Sequence, residues 1–243
     1  MANLKRPGGE LAFRPLHFIW VVDCSGSMYG EKIGTVNHAI QSTIPEMADA
    51  ARENPNAQLL VRTLKFSTGA SWVTTVPVPI EDFAWDDLDA GGVTDLGKAF
   101  EMLAAQLTIP PMTDRALPPV LVLLSDGQPT DDYRKGLDKL LHLPWGRKAV
   151  RIAIAIGQDA DDDVLEQFTG NRELVLQANN PQALVKMIKW ASTAASMVSA
   201  PASRPKDAEE FVVPKDPSAS NAPLVLDLKS IPDPASIGAG DVW

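Results

Sequence analysis

Leu16 to Val22 reads Leu-His-Phe-Ile-Trp-Val-Val, a nearly unbroken apolar run that stops at Asp23-Cys24-Ser25-Gly26-Ser27. A run without polar alternation is what a strand buried on both faces of a parallel sheet requires. Behind the polar loop, Ile33, Val36, Ile40, Ile44 and Met47 recur at spacings of three and four, which predicts an amphipathic helix. Pro45 lies inside that pattern and predicts a kink or a break. Gln58–Phe66 and Ser71–Val76 read as a strand pair around Ser67-Thr68-Gly69. The acidic stretch from Pro77 to Asp89 reads as loop. Leu96, Phe100, Leu103 and Leu107 stripe the next helix.

The same grammar then repeats. Val120–Leu124 is a second wholly apolar strand, ending in Ser125-Asp126-Gly127. Val150–Ile156, closed by Gly157, is a third, and Glu173–Leu176 a short fourth. Helices are predicted near Asp132–Leu141 and Asp161–Phe168. A last one begins at about Pro181, with Leu184, Met187, Ile188, Ala191 and Ala195 on one side. Strands alternating with helices predict an α/β fold, a doubly wound and mostly parallel sheet with helices on both faces. Loops at the carboxyl ends of such strands are where ligands bind.

Composition places boundaries on this picture. Residues 1–13 form an N-terminal extension and 14–198 the domain; 199–243 is a tail rich in Pro, Ser, Ala, Asp and Lys. The tail reads as extended, disordered or ordered by a partner, with sticky spots at Phe211–Val213 and Leu224–Leu228. Leu224–Leu228, or the terminal Asp241-Val242-Trp243, could dock as an added strand on a partner or back on the domain. A formal net charge of −9 argues against nucleic acid and anionic membranes as partners, since phosphate binding needs a basic face. Cys24 is the single cysteine, so no intramolecular disulfide forms. The opening Met-Ala-Asn-Leu-Lys-Arg-Pro-Gly-Gly-Glu is polar, without a secretory apolar stretch, so a cytoplasmic location is expected.

The chemistry concentrates in the loops. Asp23-x-Ser25-x-Ser27 sets a carboxylate and two hydroxyls on alternate positions, which in an extended or looped backbone point the same way. These are hard oxygen donors, suited to Mg²⁺ or Mn²⁺ rather than Zn²⁺ or Cu. Mg²⁺ keeps several waters, so a site with few direct protein ligands has open corners.

Asp23-Cys24-Ser25-Gly26-Ser27-Met28 resembles the first motif of von Willebrand factor A (VWA) domains, the DxSxS element of the metal-ion-dependent adhesion site. Gly91-Gly92-Val93-Thr94 resembles the second, which supplies a threonine, and Leu124-Ser125-Asp126-Gly127 the third, which supplies an aspartate. The resemblance covers about residues 14–198. Asp23–Gly30, Gly91–Asp95, Leu123–Asp131 and Pro79–Phe83 are further similar to the TerY-like, tellurium-resistance-associated branch of bacterial VWA proteins. It implies a VWA (Rossmann-like) fold, with Ser25, Ser27 and Thr94 as hydroxyl ligands and Asp23 and Asp126 as carboxylates holding the ion's waters. It also implies an intracellular, non-enzymatic scaffold of a stress-response or defence system. There a partner's Asp or Glu completes the shell, and the partners include a Ser/Thr protein kinase and a metal-dependent protein phosphatase.

Plainer explanations stand beside these. Asp23, Ser25 and Ser27 could cap the following helix, and Thr94 the helix after it. Asp131 or Asp132 is expected to cap the next helix rather than bind metal. Cys24 is expected to be filler rather than a reactive thiol. His17, His38 and His142 share no ligand spacing and are read as structural. Asp159–Asp163 lacks the glycine and glutamate of an EF-hand and reads as a solvated helix start. Asp86, Asp87 and Asp89 read as an acidic loop near the rim, and Trp72, Trp85 and Trp145 as core or interface anchors.

Two other functions compete. A Mg²⁺-dependent phosphohydrolase would need a nucleophile and a cation, but Ser25 stands where the second Asp of aspartyl-phosphate hydrolases belongs. The Asp23–Met28 loop holds no Lys or Arg, and no Walker-type loop occurs. A chelatase-type VWA subunit working with an AAA ATPase stays open.

Overall fold

The computed structural model describes residues 14–53, 57–126, 128–199, 210–212, 225–227 and 230–233. The first strand, β1 (Arg14–Asp23), carries the opening apolar run, and the helix α1 (Glu31–Arg52) follows its loop. β2 (Ala57–Ser67) and β3 (Gly69–Trp72) turn tightly about Thr68. β4 (Val78–Pro79) and a single 3-10 turn at Ile80–Asp82 occupy a stretch expected to be loop. Then come α2 (Leu96–Gln106), β5 (Val120–Ser125), α3 (Tyr133–His142), α4 (Pro144–Lys148), β6 (Val150–Ile156), α5 (Asp162–Thr169), β7 (Val175–Ala178) and α6 (Pro181–Ser199).

The sheet runs β3-β2-β1-β5-β6-β7, with β4 also on β2. β2 through β7 along this path pair in parallel, while β3 and β4 are antiparallel additions at one edge. Alternate residues of β1 serve opposite layers. Phe18, Trp20 and Val22 face a core that includes α1 and α6, and Ile19 and Val21 face one built from α2, α3, α4 and α5. Both faces are covered, which is why β1 and β5 needed no polar alternation. α2 and α3 approach closely through glycines: a Cβ on Gly136 would come within 2.5 Å of the Gly97 carbonyl oxygen.

Several expectations shift. α1 runs unbroken through Pro45. Pro45 and Gln41, whose carbonyl loses its helical donor, both face solvent, where water can serve that oxygen. α4 is a short helix in a stretch for which the sequence pattern assigned no element. Arg172–Leu174 forms a 3-10 turn, so the last strand begins at Val175 rather than Glu173. In the tail, β8 (Glu210–Val212) pairs antiparallel with β9 (Val225–Asp227), as a separate two-stranded sheet and not as an addition to the main one. The tail returns to the domain just beyond, where Trp190 Nε1 donates to Ser230 Oγ (2.9 Å) and Ile231 packs against the α1/α6 layer. Residues 1–13, Asp241–Trp243 and the Ala195 side chain lie outside the described residues.

Candidate metal centre

β1 and β5 are neighbours, yet the chain leaves β1 toward β2 on one side and returns to β5 on the other. Such a reversal opens a crevice at the carboxyl ends of the two strands. Asp23 closes β1, and Ser125 and Asp126 close β5, so the crevice is lined by both.

Hydrogen bonds join the two strand ends into one chain. Ser25 N–H donates to Asp23 Oδ1 (2.8 Å), and Ser125 Oγ donates to Asp23 Oδ2 (2.6 Å). Ser27 Oγ donates to Asp126 Oδ1 (2.7 Å). Ser25 Oγ lies 3.0 Å from Ser27 Oγ, and since the Ser27 proton is engaged by Asp126, Ser25 is the donor there. None of these hydroxyls caps a helix: neither the Ser25 position nor the Gly30 start of α1 has a side-chain cap.

The second loop is fastened to the first by backbone. Gly26 N–H donates to the Gly92 carbonyl (3.0 Å), and Gly91 N–H to the Cys24 carbonyl (2.7 Å). Gly92 holds φ at 86°, and a Cβ there would come within 2.5 Å of Thr68 Oγ1, so only glycine fits. Buried Thr94 is tied to the third loop: its N–H donates to Thr130 Oγ1 (3.1 Å), and its carbonyl accepts from Thr130 N–H (2.9 Å). Thr94 does not cap α2. Asp131 does, accepting from Gly97 N–H (2.8 Å) and Lys98 N–H (3.0 Å). Asp131 therefore caps the preceding helix, not the following one, because the third loop crosses the start of α2.

The structure thus brings Asp23, Ser25, Ser27 and Asp126 together directly, and Thr94 through the main chain of its loop. Two participants were given no role by the sequence motifs. Ser125 anchors Asp23, and Lys32 reaches from the first turn of α1 to place Nζ 2.6 Å from Asp126 Oδ2. A lysine on a helix face looks like any solvated charge until the strands are assembled.

Electrostatically the cluster is short of positive charge. Asp23 and Asp126 are both buried. Burial raises the Asp23 carboxyl above its ordinary range; bonds from Ser125 and Ser25 oppose this, and the nearby Asp126 adds to it. Lys32 answers one of the two carboxylates. Among the described residues no three His, Cys, Asp or Glu side chains gather as a ligand set, so a cation here must draw on hydroxyls too. Two carboxylates and the hydroxyls beside them, with more negative than positive charge among the described residues of the cluster, fit a hard divalent ion.

The remaining candidates resolve as structure. Cys24 is buried, and burial first, then Asp23, pushes its thiol up to about 12, so it fills space. His17 is buried, and His38 and His142 are exposed on separate helices. Asp161 caps α5, accepting from Val164 N–H (3.2 Å). The acidic loop is pinned to α1: Asn37 Oδ1 accepts from Leu88 N–H (2.9 Å) and Trp85 Nε1 (3.1 Å), leaving Asp86, Asp87 and Asp89 exposed. Trp85 and Trp145 are core, and Trp72 lies under the Arg62 guanidinium.

A family model for the von Willebrand factor type A domain matches residues 18–190. No curated protein sequence matched. Among solved structures, a von Willebrand factor type A protein from Catenulispora acidiphila aligns at 14% identity and a TM-score of 0.55, over 76% of this chain and 43% of that one. The pilus adhesin SpaC from Lactobacillus rhamnosus GG aligns at 14% identity and a TM-score of 0.60, over 76% of this chain and 31% of that one. Proximal thread matrix protein 1 from the mussel byssus, solved with a zinc-occupied MIDAS motif, aligns at 17% identity and a TM-score of 0.55, over 76% and 48%. These likenesses concern the fold, and the chain spans less than half of each of these three.

Proposed function

The chain belongs to the von Willebrand factor type A family, and from that premise we propose that it is a non-enzymatic interaction module whose single Mg²⁺ or Mn²⁺ receives an acidic side chain from a protein partner. Domains of this family are typically protein-interaction modules with a metal-ion-dependent adhesion site that takes a divalent ion. The observation that carries the reading is the hydrogen-bonded cluster of Asp23, Ser25, Ser27, Ser125 and Asp126, with Lys32 paired to Asp126. Ser25, Ser27 and Thr94 would offer hydroxyl oxygens, and Asp23 and Asp126 would hold the ion's waters. A hard ion with one exchangeable water is a receptor for a carboxylate. The hydroxyl-rich donor set favours Mg²⁺ or Mn²⁺ over the zinc of the mussel protein.

The motif runs at Asp23–Gly30, Gly91–Asp95 and Leu123–Asp131 support placing the module in the TerY-like branch, within a bacterial cytoplasmic stress-response or defence system. Its partners there would be a Ser/Thr protein kinase and a metal-dependent protein phosphatase, with the 14–198 domain presenting the site and the 199–243 tail adding contacts. An AAA ATPase is the partner on the chelatase-type alternative.

Lys32 supplies the cation that the Asp23–Met28 loop lacks, and so keeps the phosphohydrolase alternative worth testing. Against it, both Asp23 oxygens are hydrogen-bonded and buried, which makes a poor nucleophile. Affinity capture separates the readings. Wild type in Mg²⁺ is expected to retain a partner that is released by chelator and never bound by the Ser25→Ala/Ser27→Ala variant, with no turnover of a generic phosphate ester. Equal capture by the variant, or Mg²⁺-dependent hydrolysis lost in Asp23→Ala, would contradict the proposal.

A further inference from the structure

Lys32 stands in the first turn of α1, where the positive end of the helix disfavours a cation. It is nevertheless directed inward, with Nζ 2.6 Å from Asp126 Oδ2, its side chain 19% exposed and that of Asp126 0%. The fold leaves room for it. At the carboxyl end of β6, Gly157 holds φ at 85°, and a Cβ built there would come within 3.3 Å of Lys32 Nζ. The other Asp126 oxygen takes the Ser27 hydroxyl, so the third loop's carboxylate is satisfied by the chain itself.

From this geometry we infer that Lys32 is a built-in competitor, which weakens the centre's hold on a divalent ion and leaves the bound ion with a surplus positive charge for the partner's carboxylate. The inference rests on the metal reading above. Asp23 and Asp126 against Lys32 leave one formal negative charge in the crevice. A divalent ion turns that into one positive charge, whereas without Lys32 the two carboxylates would cancel the ion and remove its demand for an acidic partner. Lys32 is thus a positioning and charge-setting residue, not a ligand.

Calorimetric titration of the full chain with Mn²⁺ tests this, comparing wild type, Lys32→Met and Lys32→Arg. Lys32→Met keeps the apolar stem and loses the charge, and is expected to bind Mn²⁺ about tenfold more tightly, a modest share of what a unit charge a few ångströms away exerts. Lys32→Arg keeps the charge and is expected to stay near wild type. A merely structural lysine would not give a gain in affinity. Should Lys32→Met be unfolded without ion, refolding on Mn²⁺ addition at concentrations below the wild-type requirement reads the same gain, and failure to refold overturns the inference. Equal or weaker Mn²⁺ binding by folded Lys32→Met also overturns it while leaving the metal reading intact. Absence of Mn²⁺ binding in every protein overturns both.

Discussion

Asp23 and Asp126 each end an apolar strand, but they are held by different means. Asp23 is fixed within its own layer by Ser125 and the Ser25 amide, while Asp126 faces Ser27 and the Lys32 ammonium. The identity of both acids was legible from strand-ending motifs, because an apolar run that stops at Asp-x-Ser-x-Ser advertises itself. Their supporting residues were not, since Lys32 and Ser125 acquire roles only when distant strands pair. A separate residue-scale consequence concerns His17 on β1. Burial, with Arg62 adding to it, lowers its imidazole from 6.5 to about 4. The folded protein therefore binds this proton less readily than the unfolded chain. The stability this contributes is present above about pH 6.5 and is lost as pH falls from there through about 4. Denaturant melts across that window should show wild type losing stability on acidification, with a shallower loss in His17→Asn. An unchanged slope would show that the site titrates normally.

At the scale of elements, the loops are held by caps and backbone bonds more than by side-chain bulk. Asp131 caps α2 from a loop more than thirty residues later in the chain, and Thr130 beside it is bonded to Thr94. Replacing Asp131 with Ala should cost about 1 kcal/mol, as loss of a helix N-terminal acceptor typically does. The melting temperature should then fall by about 2–4 °C. Because the same loop carries the tie to Thr94, Mn²⁺ affinity should fall as well. Calorimetry showing unaltered affinity at reduced stability would detach the cap from the centre. The strands and helices themselves were well announced by period, most clearly where burial on both faces leaves an unbroken apolar run, as in Val120–Leu124 of β5. The misses have local causes. Pro45 did not break α1, since its lost bond faces water, and the short α4 spans too few residues to show a helical period.

For the whole molecule, the parallel α/β class followed from alternation, but strand order did not, because no local pattern says that β5 returns to the far side of β1. That crossover is what sets Asp23 beside Ser125. In the tail, the sticky spots at Phe211–Val213 and Leu224–Leu228 marked where β8 and β9 form, but not that the two pair with each other. That pairing, and the return of Ser230 and Ile231 to α6, depend on contacts across the chain. Among the described residues no helix is long and apolar enough to cross a membrane. The account depends on the crevice between β1 and β5 drawing three separated loops onto one cation. Anomalous diffraction from a Mn²⁺-soaked crystal addresses this without reference to any partner. One peak per chain is expected, lying among the oxygens of Ser25, Ser27 and Thr94 with Asp23 and Asp126 around it. A saturated crystal with no peak there, or with its manganese elsewhere on the surface, would contradict the account.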